Sequence, residues 1–261
     1  MQKQKGEAFR ALHAGDPFII PNPWDAGSAR LLENLGFKAL ATTSSGFAFT
    51  LGRTDGEVTI DEVADHISAL DRATSLPVSV DLENGYGREP EAAANAITRA
   101  AEAGAVGGSI EDYDPSGEIY GFDHAVERVA AACEAARGLG IPFMLTARAE
   151  NFVRDNPDLD DTIARLQAYE QAGADVLYAP RLPGMEEMRA VCEAVSSPVN
   201  VLVRPNLSFS EIVEAGAQRV SVGGPLTWVA VAAMVDAAQR MRDEGDFSPL
   251  AIPEEVSKLI G

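Results

Sequence analysis

The chain has 261 residues, 46% of them hydrophobic, enough to bury one large core; 40 acidic against 21 basic residues give a formal charge of −19. A field of that sign repels nucleic acid and anionic membrane, which excludes both as expected partners, and a small anionic substrate would need a local cation at its site. Met1-Gln2-Lys3-Gln4-Lys5-Gly6 lacks the apolar run of a signal peptide, no stretch is long enough to span a bilayer, and Cys133 and Cys192 fall inside helical segments, so the expectation is a soluble cytoplasmic protein without a disulfide framework.

In chain order, a helix over 4–13 precedes a first apolar run at 18–20. Seven more short runs follow, at 39–42, 78–81, 106–110, 143–147, 176–178, 199–203 and 219–222, each predicting a strand. Helical periodicity fills the intervals at 26–35, 60–74, 89–103, 122–137, 159–172, 185–195 and 209–215, and continues after the last strand over 227–242. A tail carrying Pro249 and Pro253 closes the chain. Strands one, three, five and seven follow Pro17, Pro77, Pro142 and Pro198, whereas the even strands follow the helix-ending glycines Gly36, Gly104, Gly173 and Gly216. Four repeats of a two-strand unit suit a closed ring of eight better than a doubly wound open sheet. The fold class is therefore α/β: one (β/α)8 TIM-type barrel spanning residues 1–261, with an extra N-terminal helix and a C-terminal helical tail.

In such a barrel, chemistry belongs at the C-terminal strand ends. The third reads Val78-Ser79-Val80-Asp81-Leu82-Glu83-Asn84-Gly85-Tyr86-Gly87. If the strand runs that far, Asp81 and Glu83 point to the same side, where their repulsion calls for a proton or a cation. Oxygen ligands without cysteine or a nearby histidine favour Mg²⁺ or Mn²⁺; the alternative is a solvated loop with capping acids. Glu111, after strand four, would add a third carboxylate. Arg148 ends strand five, where it could grip a substrate carboxylate through two parallel hydrogen bonds or serve as a structural partner for Glu111 or Glu150.

Thr43-Ser44-Ser45-Gly46-Phe47 reads as a small-residue turn able to present N–H groups and a serine hydroxyl to an oxyanion. Asp55, in the same long loop, is either a water-mediated metal partner or a turn former. His13 and His66 read as surface helix residues, and His124 as a minor acid/base candidate near the rim. Lysine occurs only at Lys3, Lys5, Lys38 and Lys258, which counts against a Schiff-base or lysine-base enolase-type mechanism at the later strand ends. Neither cysteine falls at a strand end.

Together Ser45-Gly46-Phe47, Asp55, Asp81-Leu82-Glu83-Asn84-Gly85-Tyr86-Gly87, Ile110-Glu111-Asp112 and Ala147-Arg148 resemble the isocitrate lyase / phosphoenolpyruvate mutase superfamily, with similarity running from Pro21 to Gly224. The resemblance implies a homo-oligomer (dimer or tetramer) with the eighth helix exchanged between subunits, Mg²⁺, and substrates that are small 2-oxo acids or their enol forms. It implies Asp81 as the direct metal ligand with Asp55, Glu83 and Glu111 acting through water. Ser45, Gly46 and Phe47 would hold the substrate oxygens, with Arg148 opposite.

Two departures narrow the chemistry. The Lys-Lys-Cys-Gly-His loop of the family's lyases is replaced by Tyr113-Asp114-Pro115-Ser116-Gly117-Glu118-Ile119-Tyr120, and the mutase histidine after strand six by Ala179-Pro180-Arg181. The expected activity is a Mg²⁺-dependent lyase acting on a short 2-oxo acid by C–C cleavage or decarboxylation through an enolate. Tyr113 or a water would donate the proton, and Arg181 and Arg204 would admit a second carboxylate. The alternatives are P–C bond chemistry of the mutase or hydrolase type, and a 2-oxo-acid-binding protein with little turnover.

Overall fold

A computed structural model describes residues 1–259; the last two positions of the expected 1–261 domain, Ile260 and Gly261, lie outside the described residues. Helix α1 (Gln2–His13) leads into β1 (Phe18–Ile20) and α2 (Ala26–Asn34), followed by β2 (Leu40–Ala41), a short α3 (Ser44–Thr50) and α4 (Ile60–Ala73). Next come β3 (Val78–Asp81), α5 (Pro90–Glu102), β4 (Gly107–Glu111), α6 (Phe122–Gly138), β5 (Met144–Arg148) and α7 (Leu159–Gln171). The last units are β6 (Val176–Tyr178), α8 (Met185–Ala194), β7 (Val199–Leu202), α9 (Phe209–Glu214), β8 (Arg219–Ser221) and α10 (Pro225–Glu244), with a terminal α11 (Glu254–Lys258).

Local chemistry sets these boundaries. Gly36, Gly104, Gly173 and Gly216 all adopt positive φ, the left-handed conformation that ends a helix and turns the chain into an even-numbered strand. Reciprocal capping boxes start α2 (Asp25 with Ser28), α4 (Thr59 with Glu62) and α9 (Ser208 with Glu211), each side-chain cap stabilising its helix by about 1 kcal/mol. One element departs from expectation: residues 44–50 form α3 rather than a turn, because the Thr43 side chain caps them by accepting from Gly46 N.

All strands pair in parallel in the order β1-β8-β7-β6-β5-β4-β3-β2. Pairing of the first strand with the last rules out a doubly wound open sheet and curls the sheet into a nearly closed barrel. At the seam between β1 and β2, Ala41 N–H donates to Pro21 O at 3.0 Å and Asn22 Nδ2 to Thr42 O at 2.8 Å. The principal core lies between the strands and the surrounding helices, around Ile67, Ile97, Val129, Leu166 and Val191. A second cluster, with Phe9, Phe18, Ile20, Val106, Met144 and Val176, fills the N-terminal end of the barrel and fastens α1 across it. Gly107 permits that approach, since a Cβ there would stand 2.7 Å from the Phe9 ring. Lys5 completes the seal, pairing with Asp71 at 2.7 Å and donating to Thr74 O at 2.9 Å. The opposite end stays open.

Candidate active site

The C-terminal ends of the strands surround a cavity of about 570 Å³ that reaches from Ser45, Asp55 and Asp81 at the mouth past Arg148 to Asn200 and Arg219. A neighbouring cavity of about 280 Å³ is lined by Glu83, Glu111, Tyr113 and Arg154 and shares Ser44 and Asp55 with the first. Asp81, Glu111 and Arg148 therefore converge, as their strand-end positions predicted. Arg148 Nη1 lies 2.9 Å from Glu111 Oε1 and 3.3 Å from Asp81 Oδ1, and Nε lies 2.9 Å from Glu150 Oε1. Its guanidinium also sits 5.0 Å from the centre of the Tyr178 ring. Burial alone would pull this guanidinium down, but Glu111, Glu150 and Asp81 outweigh it and hold it well above its ordinary range. Arg148 is thus a structural partner of both Glu111 and Glu150, and it also lines the cavity.

The acids are short of positive charge. Burial first, then Asp81 and Asp55, push the Glu83 carboxyl up to about 7. Burial raises Glu111 despite Arg148, with Glu150 and Asp81 adding to the shift. Desolvation raises Asp55 against a bond from the Ser44 hydroxyl, and Asp81 adds to it. Glu83 Oε1 is buried without a hydrogen-bond partner. This all-oxygen, under-neutralised donor set fits a hard divalent ion. Among the described residues no three acidic side chains form a ready ligand cage. An ion that keeps several waters and takes few direct protein ligands suits that arrangement.

Several expectations need correction. Asp81 and Glu83 do not share one face of a strand: β3 ends at Asp81, and the backbone turns left-handed at Glu83 (φ 49°) and again at Tyr86 (φ 61°). Glu83 consequently faces the smaller cavity while Asp81 faces the larger. Ser45 lines the larger cavity, its Oγ 3.2 Å from Thr43 Oγ1, but Gly46 and Phe47 do not. The Gly46 N–H goes to Thr43 Oγ1 at 3.3 Å and the Phe47 N–H to Thr43 O at 3.0 Å, because both belong to the first turns of α3. The helix start instead leaves the N–H groups of Ser44 and Ser45 without intrahelical acceptors. Gly46 is fixed by packing, since a Cβ would meet Thr227 Oγ1 at 2.5 Å and Thr43 Cγ2 at 2.6 Å.

His13 and His66 are buried rather than at the surface. His66 stacks on Phe47 with ring centres 3.9 Å apart, and burial lowers it to about 4. His124 Nε2 donates to Arg88 O, 2.9 Å away, in the connection between β3 and α5. Arg204 Nη1 donates to the carbonyls of Leu182, at 2.8 Å, and Pro183, and Arg204 does not line the main cavity, whereas Arg181 does. Tyr113 lines the smaller cavity with Glu111, its ring covered by the Arg154 guanidinium.

Sequence reasoning gave no role to Asn22, Arg154, Tyr178, Asn200 or Arg219. Asn22 is a tie, its Oδ1 accepting from Val222 N at 3.0 Å and Gly223 N at 2.7 Å to bind β1 to the end of β8. For Arg219 the overlooked signal is a charge at an inward position of a barrel strand. Asp112 also separates from its neighbour. Alternation sends Glu111 into the mouth and Asp112 outward, where it accepts from Tyr169 Oη at 2.6 Å and Arg165 Nη1 at 3.1 Å.

Comparison with known proteins places this site in a family. The phosphoenolpyruvate phosphomutase family model matches residues 9–242. A 2-methylisocitrate lyase of Halalkalibacterium halodurans is 31% identical, the match covering 94% of this chain and 84% of that one. An oxaloacetate decarboxylase of Paraburkholderia xenovorans is 32% identical over 98% of this chain and 88% of its own. The crystal structure of a candidate lyase/mutase from Burkholderia cenocepacia superposes with a TM-score of 0.95 at 52% identity, covering 98% of this chain and 95% of that chain. The chain belongs to the phosphoenolpyruvate phosphomutase family, and so to the isocitrate lyase / phosphoenolpyruvate mutase superfamily of enzymes.

Proposed function

We propose that this protein is a Mg²⁺-dependent lyase that cleaves a C–C bond in a short 2-oxo acid, with decarboxylation of an oxaloacetate-like diacid as the reaction its residues fit best. The observation that carries this reading is the convergence of Asp81 and Glu111 on Arg148, which lines the main cavity together with Asp81 while Glu111 lines the adjoining one. Asp81 would hold Mg²⁺ (or Mn²⁺) directly, with Asp55, Glu83 and Glu111 acting through water. The bound ion supplies positive charge that stabilises an enolate.

Arg148 grips the carboxylate next to the oxo group, and the Ser45 hydroxyl orients the oxo oxygen. As the bond to the distal carboxylate breaks, CO₂ leaves and the electron pair passes to the oxo oxygen. A water, or the Tyr113 hydroxyl from the adjoining cavity, then protonates the carbon and yields the shorter 2-oxo acid. This step needs neither the lysines nor the cysteine absent from the 113–120 loop.

The test is incubation with oxaloacetate and Mg²⁺, followed by proton NMR against the uncatalysed rate. Pyruvate formed faster than in buffer, and stopped by chelator, is the expected result. Cleavage of phosphonopyruvate seen by phosphorus NMR would move the reading to P–C chemistry, and tight calorimetric binding without product would move it to a binding protein.

The reading includes self-assembly. Helix α10 exposes Trp228, Val229, Met234 and Val235, with Val229 67% exposed, a face suited to a second copy of the chain in a dimer or tetramer. Among the described residues no helix is long and apolar enough to cross a membrane. The unpaired Cys133 and Cys192 suit a reducing, cytoplasmic setting.

A further inference from the structure

Arg219 opens β8 at the closed end of the barrel, and its side chain turns inward to line the floor of the main cavity. It starts a ladder of register partners: Arg219 pairs with Asn200, Asn200 with Tyr178, Tyr178 with Arg148, and Arg148 with Glu111. Register partners on neighbouring parallel strands face the same side, so five polar side chains climb the inner wall from floor to mouth. Branched apolar residues ordinarily fill such layers.

Among the described residues the guanidinium meets only neutral acceptors. Nε donates to Asn200 Oδ1 at 2.7 Å, Nη2 to Thr146 Oγ1 at 3.0 Å, and Nη1 to His13 Nε2 at 3.3 Å. His13 Nδ1 lies 2.8 Å from Phe9 O, which places its proton there and leaves the Nε2 lone pair for Arg219. Burial, and after it Arg219 itself, hold His13 down at about 3, so the ring is neutral at physiological pH. Burial also lowers Arg219, to about 10, which leaves it charged. Among the described residues no carboxylate forms an ion pair with it, whereas Arg148 above is surrounded by three.

We propose that Arg219 is a positioning residue of the cavity floor: a fixed, uncompensated positive charge that favours doubly over singly charged carboxylate ligands in the cavity above it. The inference rests on reading that cavity as a carboxylate site. A buried charge acts through the low-dielectric wall without touching the ligand, and its pull scales with ligand charge. The same residue keeps Asn200 oriented, and Asn200 donates to Ser221 Oγ at 2.9 Å beneath the mouth.

Calorimetry in Mg²⁺ with oxalate, a dianion, and glyoxylate, a monoanion of similar size, tests this. Arg219→Met should weaken oxalate about tenfold and glyoxylate about threefold, in keeping with a pull proportional to charge. Arg219→Lys should keep the wild-type ratio. Arg219→Gln, which retains hydrogen-bonding capacity toward Asn200 and Thr146, is the second neutral variant and should behave as Met does. Equal losses for the two probes, or no loss, overturn the proposal while leaving the carboxylate site standing. Failure of both neutral variants to fold also overturns it, making Arg219 structural. If the wild-type protein binds neither probe, this proposal and the proposed function fall together.

Discussion

Removing Arg148 is the most informative perturbation, because the geometry sets both its size and its pH dependence. Arg148→Ala would strip the nearest described cation from Glu111 at 2.9 Å and from Glu150 at 2.9 Å, both carboxylates buried, and leave only the longer Arg154 contacts at 3.7 and 3.9 Å among the described residues. Breaking a buried pair by deleting one partner typically costs about 3–5 kcal/mol, since the remaining charge stays desolvated. For a chain of this length that corresponds to a fall in Tm of roughly 6–15 °C.

The sign with pH follows from linkage. Glu111 and Glu150 already sit above their ordinary range through burial, and loss of Arg148 raises them further. A carboxyl raised in the folded state binds more protons there than in the unfolded chain. Its penalty is absent below the unfolded pKa and grows as pH rises toward the folded value. The Tm deficit should therefore be largest near pH 8 and shrink on approach to pH 5, as followed by circular dichroism across that range. Calorimetry with oxalate and Mg²⁺ should show a parallel affinity loss of about 2–5 kcal/mol. A deficit well under 1 kcal/mol that is flat with pH would falsify the claim that Arg148 neutralises buried acids.

Three further outcomes are expected. Glu83→Gln removes a carboxyl that burial and its neighbours push up to about 7. It should stabilise the metal-free protein at pH 8 by about 2–3 kcal/mol and not at pH 4, the gain vanishing when Mg²⁺ is added; a gain independent of pH in urea titrations would contradict this. Asp81→Ala should abolish the Mg²⁺ dependence of oxalate binding, so calorimetric curves that still respond to chelator as the wild type does would remove Asp81 as the direct ligand. Val229→Asp combined with Met234→Asp, both on the exposed face of α10, should convert the assembly to monomers by light scattering, and an unchanged mass would separate α10 from any subunit contact.

The mouth and its principal residues were legible from one dimension. A proline or glycine before each apolar run fixes where strands begin, and a parallel barrel brings all their C-terminal ends to one rim. Asp81, Glu111 and Arg148 therefore had to meet once the eight units were counted. The same logic failed for Glu83. Its place beyond Leu82 suggests strand alternation, but the Gly85-Tyr86-Gly87 turn already draws the backbone left-handed at Glu83 itself. It failed also for Gly46 and Phe47, because seven residues with one capping threonine leave helix and turn nearly equal locally, and packing against Thr227 and His66 decides between them.

Residue type, order and local punctuation thus determined the alternation of strands and helices, the closed eight-stranded plan and the chemical character of the rim. Tertiary structure alone decided which polar side chains share the interior. The offset between neighbouring strands carries Arg219 up through Asn200 and Tyr178 to Arg148, and the seating of α1 across the barrel floor buries His13 against Arg219. The physical reason is that strand register is fixed by non-local hydrogen bonds and by closure of the whole ring, and the periodicity of any single segment carries no record of either.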